Sequence, residues 1–188
     1  MIGAVGALRL VDLSPAVQQR MLDEWQLEQE RGSGYVSDRL SPAGVQAFTA
    51  AMPDAILHGS ELTLAQALAR RDYWKGGGLR RGRDGGWVLA STPRNVHEVL
   101  AATEYLTWYT RAIAGILLEE GEQDSVVYRA APARQPRCEC SLLEGRTVKT
   151  ADVYAGHRAR YWPKPQPAAF SIPVGPNCHH TITRVKQP

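Results

Sequence analysis

Thr92-Pro93 opens the segment that most limits what this chain can become. Beyond it Val96, Val99, Thr103, Leu106, Thr110, Ile113 and Leu117 recur at spacings of three and four, and Leu100 and Ala114 widen the same stripe. Residues three and four apart share one face of an α-helix. The spacing predicts a single helix from Pro93 to Glu120, roughly 40 Å long at 1.5 Å per residue. A stripe of that length has to be covered. We expect Val96, Val99, Leu100, Leu106, Ile113 and Leu117 to lie against the N-terminal helices or an equivalent helix of a neighbouring subunit, with Arg94, Glu98, Glu104 and Arg111 at the surface. Thr103 and Thr110 add hydroxyls to the apolar face, which bond back to helix carbonyls or to a close partner. That favours helix-on-helix contact over a deep single-chain core.

Ahead of this helix the chain reads as all-helical. Ser14-Pro15 is a capped helix start, followed by Val17, Met21, Leu22 and Trp25 and stopped near Glu30 by Gly32-Ser33-Gly34. Ser41-Pro42 starts a second helix through Val45, Phe48 and Met52, which Pro53 is expected to end. Thr63 with Gln66 reads as a capping box for a third, carried by Leu64, Ala65, Leu68 and Tyr73 toward Trp74. Then the composition changes: Lys75 to Gly86 holds six glycines and four basic residues, which predicts an unpacked loop. Trp87 to Ala90 and Val126-Val127-Tyr128 read as short strands, and a Pro/Arg-rich connector spans Ala131 to Arg137. The expected class is α+β: a helical region at 1–75, a basic Gly-rich loop at 76–92, the long helix and a strand at 93–130, and an irregular β module at 131–188.

Charge bounds the partners. Lys and Arg number 22 against 19 Asp and Glu, too even a balance for the whole surface to bind nucleic acid. Any contact with DNA has to be local. Lys75, Arg80, Arg81 and Arg83 suit it, because the intervening glycines let backbone N–H groups approach a phosphate; the alternative is a solvated hairpin tip or an arm gripping a neighbour. The terminal Lys-Ser/Thr of a P-loop is missing. Arg158, Arg160, Tyr161, Trp162 and Lys164 interleave cations with aromatics, a pattern that stacks on bases or covers a small core. Glu119, Glu120 and Glu122 crowd a helix C-terminus, where negative charge is unfavourable, and so call for a basic partner or open solvent. No run approaches the roughly 18 apolar residues of a membrane span, and the first residues lack the features of a secretory leader. We therefore expect no membrane partner and synthesis in cytoplasm.

Three cysteines cannot all pair with one another. Cys138-Glu139-Cys140 and, some forty residues on, Cys178-His179-His180 supply three thiolates and an imidazole, a complete tetrahedral set for zinc from Cys138, Cys140, Cys178 and His180. Four protein ligands leave no position for water, so such a zinc is structural, and it would supply folding energy to a turn-rich segment. Two alternatives stay open. The thiols pack without metal, or Cys138 or Cys140 forms a disulfide with Cys178 on oxidation.

The run from Cys138 through Leu143-Glu144-Gly145-Arg146 to Val148, followed by Ile172-Pro173-Val174-Gly175-Pro176-Asn177-Cys178-His179-His180, resembles the C-terminal signature of the Mu F-like, or minor capsid, head-morphogenesis family. Leu143-Glu144-Gly145-Arg146 is similar to the family's acidic-Gly-basic turn, and Pro176-Asn177-Cys178-His179-His180 to its terminal segment. In this chain one residue separates the paired cysteines where the family has two, and Gly175 stands where it has His. The likeness covers about fifty of 188 residues. It implies a structural virion protein assembled in host cytoplasm, present in several copies beside portal or major capsid protein and in reach of packaged double-stranded DNA. Two other readings stand beside it: a metal-dependent nuclease with His179 or His180 as general base, and a zinc-stapled interaction module unrelated to phage.

Overall fold

The computed structural model describes residues 7–77, 79–81, 84, 86–89, 92–132, 142–176 and 178–185, with the backbone alone at 79–81 and 87–89. Helix α1 spans Pro15–Glu30, and the Ser14 hydroxyl accepts from the Val17 N–H at 3.3 Å. Helix α2 spans Pro42–His58, capped by Ser41 through the Gly44 N–H at 3.2 Å. It does not stop at Pro53. The proline removes one helical bond and crowds a carbonyl one turn back, yet Met52, Ala55 and Ile56 around it are fully buried, and that packing carries the helix on. Helix α3, Glu61–Ala67, begins before the expected cap: Ser60 is the N-cap, and Thr63 stands inside the helix, accepting from the Ser60 N–H at 3.3 Å. A 3-10 turn at Arg71–Tyr73 follows, in place of a helix running to Trp74. The Ser41 N–H and hydroxyl donate to the Tyr73 and Asp72 carbonyls at 2.9 and 2.7 Å, pinning that turn to α2.

Helix α4, Val96–Glu119, is the axis of the molecule. It packs against α1, α3, a short helix α5 (Thr150–Ala155) and a C-terminal strand. The aliphatic stripe is covered as the spacing predicts, with Val96, Leu100, Leu106, Ile113 and Leu117 buried and Val99 half-buried. The opposite side is covered too, through Ala101, Tyr105, Trp108, Tyr109 and Ala112. Glu104 is therefore in the core at 1% exposure, and the Arg111 side chain is only 18% exposed, against the surface positions expected for both. The reason lies in residue type. Alanine, threonine and aromatics bury as readily as leucine, and a helix wrapped on all sides has no polar face to leave outside. Thr103, Thr107 and Thr110 each donate to the carbonyl four residues back at 2.7 Å. This is a deep single-chain core, the arrangement the two threonines were taken to disfavour.

A three-stranded antiparallel sheet closes the fold. Strand β3 (Asp124–Arg129) lies between β4 (Thr147–Lys149) and β5 (His180–Arg184), with Val126 opposite Thr147 and Val127 opposite Ile182. Gly145, at φ 77°, makes a positive-φ turn ahead of β4. Thr110 of α4 meets Thr181 of β5 hydroxyl to hydroxyl at 2.7 Å. In the basic loop, β1 (Leu79–Arg81) pairs antiparallel with β2 (Trp87–Leu89), so the glycine-rich stretch holds a hairpin where an unpacked loop is expected. The architecture is thus α+β, with helices in front and a small sheet behind. Among the described residues no helix is long and apolar enough to cross a membrane.

Candidate functional site

Arg158 stands at positive φ (57°) just beyond α5, 2% exposed. Its Nη1 and Nη2 donate to the two Glu104 carboxylate oxygens at 2.9 and 2.6 Å. The guanidinium stacks over Tyr35 and Trp108, 4.9 and 5.1 Å from their centroids, and lies 3.7 Å from the Glu28 carboxylate. Expected as a contact for a partner or nucleic acid, it is consumed by its own core. Trp162 is likewise engaged: its indole N–H donates to the Ser33 carbonyl at 2.7 Å, and its ring meets Tyr35 edge-on. Arg160 is half-buried beside them. The segment covers a small core, as the alternative reading had it.

One helical turn along α1, Glu24 accepts from Arg20 (3.1 Å), Arg111 (2.7 Å) and the Tyr154 hydroxyl (2.9 Å). These donors hold its carboxyl below the usual range against the opposing effect of burial. Glu28 is lowered in the same way, with His157 Nε2 at 3.1 Å and Arg158 nearby. His157 is pushed down to about 4, because burial outweighs the attraction of Glu28 and the Arg158 and Arg111 charges repel a proton. It is neutral near pH 7 and donates Nε2–H to Glu28. The two layers lock α1, α4 and the chain after α5 together. Of the acidic cluster, Glu119 pairs with Arg20, and Glu120 and Glu122 with Arg184, so their basic partner is internal.

An open site lies elsewhere. Lys75 leaves the 3-10 turn with its N–H on the Arg39 carbonyl at 2.9 Å and its Nζ on the Asp38 carbonyl at 2.8 Å. The Thr92 hydroxyl donates to the Lys75 carbonyl at 2.9 Å, fastening the two ends of the hairpin excursion to each other. At this root is a cavity of about 340 Å³ lined by Arg71, Lys75, Arg94 and His97, with Trp74, Pro93 and Val96 among its apolar wall. Among the described residues no carboxylate lines it. Lys75 belongs to the expected basic set; Arg80 and Arg81 lie in β1 with side chains outside the described residues, as does Arg83 entirely. Sequence reasoning missed Arg71, Arg94 and His97 as a group, since no spacing connects them. Their one shared signal is that each flanks the glycine-rich segment.

At the sheet's edge Cys178 Sγ and His180 Nδ1 are 3.7 Å apart, both buried, and Glu144 is 3.5 Å from His180 Nε2. Cys138 and Cys140 lie outside the described residues. Among the described residues no three Cys, His, Asp or Glu side chains converge to hold a metal. No family model matches this chain, and no curated protein or solved structure matches it. The chemistry rests on the geometry above.

Proposed function

We propose that this chain is a structural protein of a tailed-phage head, a minor capsid, head-morphogenesis or head–tail component that works by binding portal, capsid or packaged DNA and not by turnover. The observation that carries it is the antiparallel hairpin within the excursion bearing Lys75, Arg80, Arg81 and Arg83. A basic ribbon rooted in a well-fastened body suits contact with a phosphate backbone, and the C-terminal likeness supplies the context. Four neutralised phosphates give a log affinity that falls with log salt at a slope of about −3 to −4. Fluorescence anisotropy on a duplex should show that slope, and Arg80→Ala/Arg81→Ala/Arg83→Ala should cut it to about −1. Absence of binding at low salt, or an unaltered triple variant, would retire the DNA contact. Head assembly in the presence of portal and major capsid protein tests the rest: the chain should sediment with heads at fixed copy number. Plasmid nicking with magnesium, manganese or zinc that disappears in His179→Ala or His180→Ala would favour the nuclease instead.

Cys178 and His180 fit a structural zinc. Two ligands at about 2.3 and 2.05 Å on a tetrahedral ion stand about 3.6 Å apart, close to their 3.7 Å separation. Nδ1 would then be the ligating nitrogen and Nε2–H would be left for Glu144, the carboxylate support usual for a ligating imidazole. Cys138 and Cys140 would complete the set. Purified protein should carry about one zinc per chain by elemental analysis, and Cys178→Ser should abolish it; metal-free protein with normal stability would exclude the staple.

A further inference from the structure

We propose that the cavity at the root of the hairpin binds one phosphate-bearing nucleotide unit, either a free nucleotide or a single residue of an unpaired strand. Its volume, about 340 Å³, falls at the low end of small-molecule sites, which run from about 300 to 1,000 Å³. That admits a nucleotide and excludes a duplex. Arg71 and Arg94 approach from different parts of the chain, and each guanidinium presents the planar fork that matches phosphate oxygens two at a time. Lys75 and His97 add further donors, and among the described residues no carboxylate in the lining competes for them. Trp74 and Pro93 give the same cavity an apolar wall, which phosphate alone does not need and a base or sugar does. The wall is firm: Trp74 is 9% exposed, with its indole N–H on the Leu68 carbonyl at 2.8 Å. Helix α4 also begins here, and no side chain caps it at Asn95, so its positive end adds to the field. Arg71, Lys75 and Arg94 are exposed, and salt screens such charges beyond about 8 Å. They act by direct contact with the ligand.

The site does not depend on duplex binding by the hairpin. Calorimetric titration of the full chain with inorganic phosphate, AMP and a short oligothymidylate separates the cases. AMP or the oligothymidylate should bind at least about tenfold tighter than phosphate, and Arg71→Ala/Arg94→Ala should weaken that binding by about tenfold or more. Both side chains are exposed, so the unfolding curve of this variant should match the parent's. AMP binding without oligothymidylate binding identifies a free nucleotide; the reverse identifies a strand residue. The hairpin variant Arg80→Ala/Arg81→Ala/Arg83→Ala should keep nucleotide binding while its duplex binding weakens and loses most of its salt dependence, so the two readings fail separately. Equal affinity for phosphate and AMP would overturn the role of the apolar wall. Millimolar probes giving no heat, or affinity undiminished in Arg71→Ala/Arg94→Ala, would overturn the site.

Discussion

Glu104 and Arg158 illustrate how a charge becomes interior. Each is worth its burial only while the other is present, because an uncompensated ion in the core costs far more than the pair returns. Glu104→Ala or Arg158→Ala should each destabilise by about 3–5 kcal/mol in urea unfolding, whereas Glu104→Leu/Arg158→Met should cost much less than the two single losses together. Beside them, His157 makes stability depend on pH. The unfolded chain takes up its proton near pH 6.5, while the folded chain refuses it until about pH 4. Stability is thus complete above pH 6.5 and declines as pH falls from 6.5 toward 4. Chemical denaturation across that window should show the loss, and His157→Gln should flatten it. Glu24 and Glu28 add a further loss only at lower pH, since their folded values lie below the usual 4.5. None of this was legible in sequence: Glu28, Glu104 and Arg158 are far apart along the chain, and no local pattern announces a buried pair.

Elements were legible where the signal is local. Ser14 and Ser41 each carry their cap and proline, and the chain could hardly start a helix elsewhere. Pro53 misled because a helix breaker acts locally while Met52 and Ile56 are held by contacts across the fold. The same tension decides α4, whose second buried face of alanines and aromatics has no aliphatic period to read. Gly44 shows a close approach that composition hides: a β-carbon there would stand 2.0 Å from the Tyr73 carbonyl oxygen, a backbone atom that cannot step aside. Gly44→Ala should therefore cost about 2 kcal/mol or more and loosen the 3-10 turn. Thermal unfolding and hydrogen exchange at the Ser41 amide would register both.

At the scale of the whole molecule the ends are the closure. Strand β3 comes from the segment after α4, yet both of its partners come from the C-terminal part of the chain. The Arg9 N–H meets the Ala130 carbonyl at 2.7 Å, and the Leu8 N–H meets Glu61 at 2.7 Å. The C-terminal strands thus share a sheet with β3, across the point where composition divides the chain. Truncation after Phe170 would strip β5 from α4 and from β3 together, exposing the face of α4 around Thr110 to water. The truncated chain should lose cooperative thermal unfolding and bind a hydrophobic dye, as measured by calorimetry and fluorescence.

The clasp between Thr92 and the Lys75 carbonyl has a consequence for engineering. Because a hydrogen bond holds the two ends of the excursion side by side outside both strands, that pair of positions is the natural seam at which to exchange the segment between them. A different loop grafted across that clasp would inherit the body's stability while taking its binding preference from its own sequence.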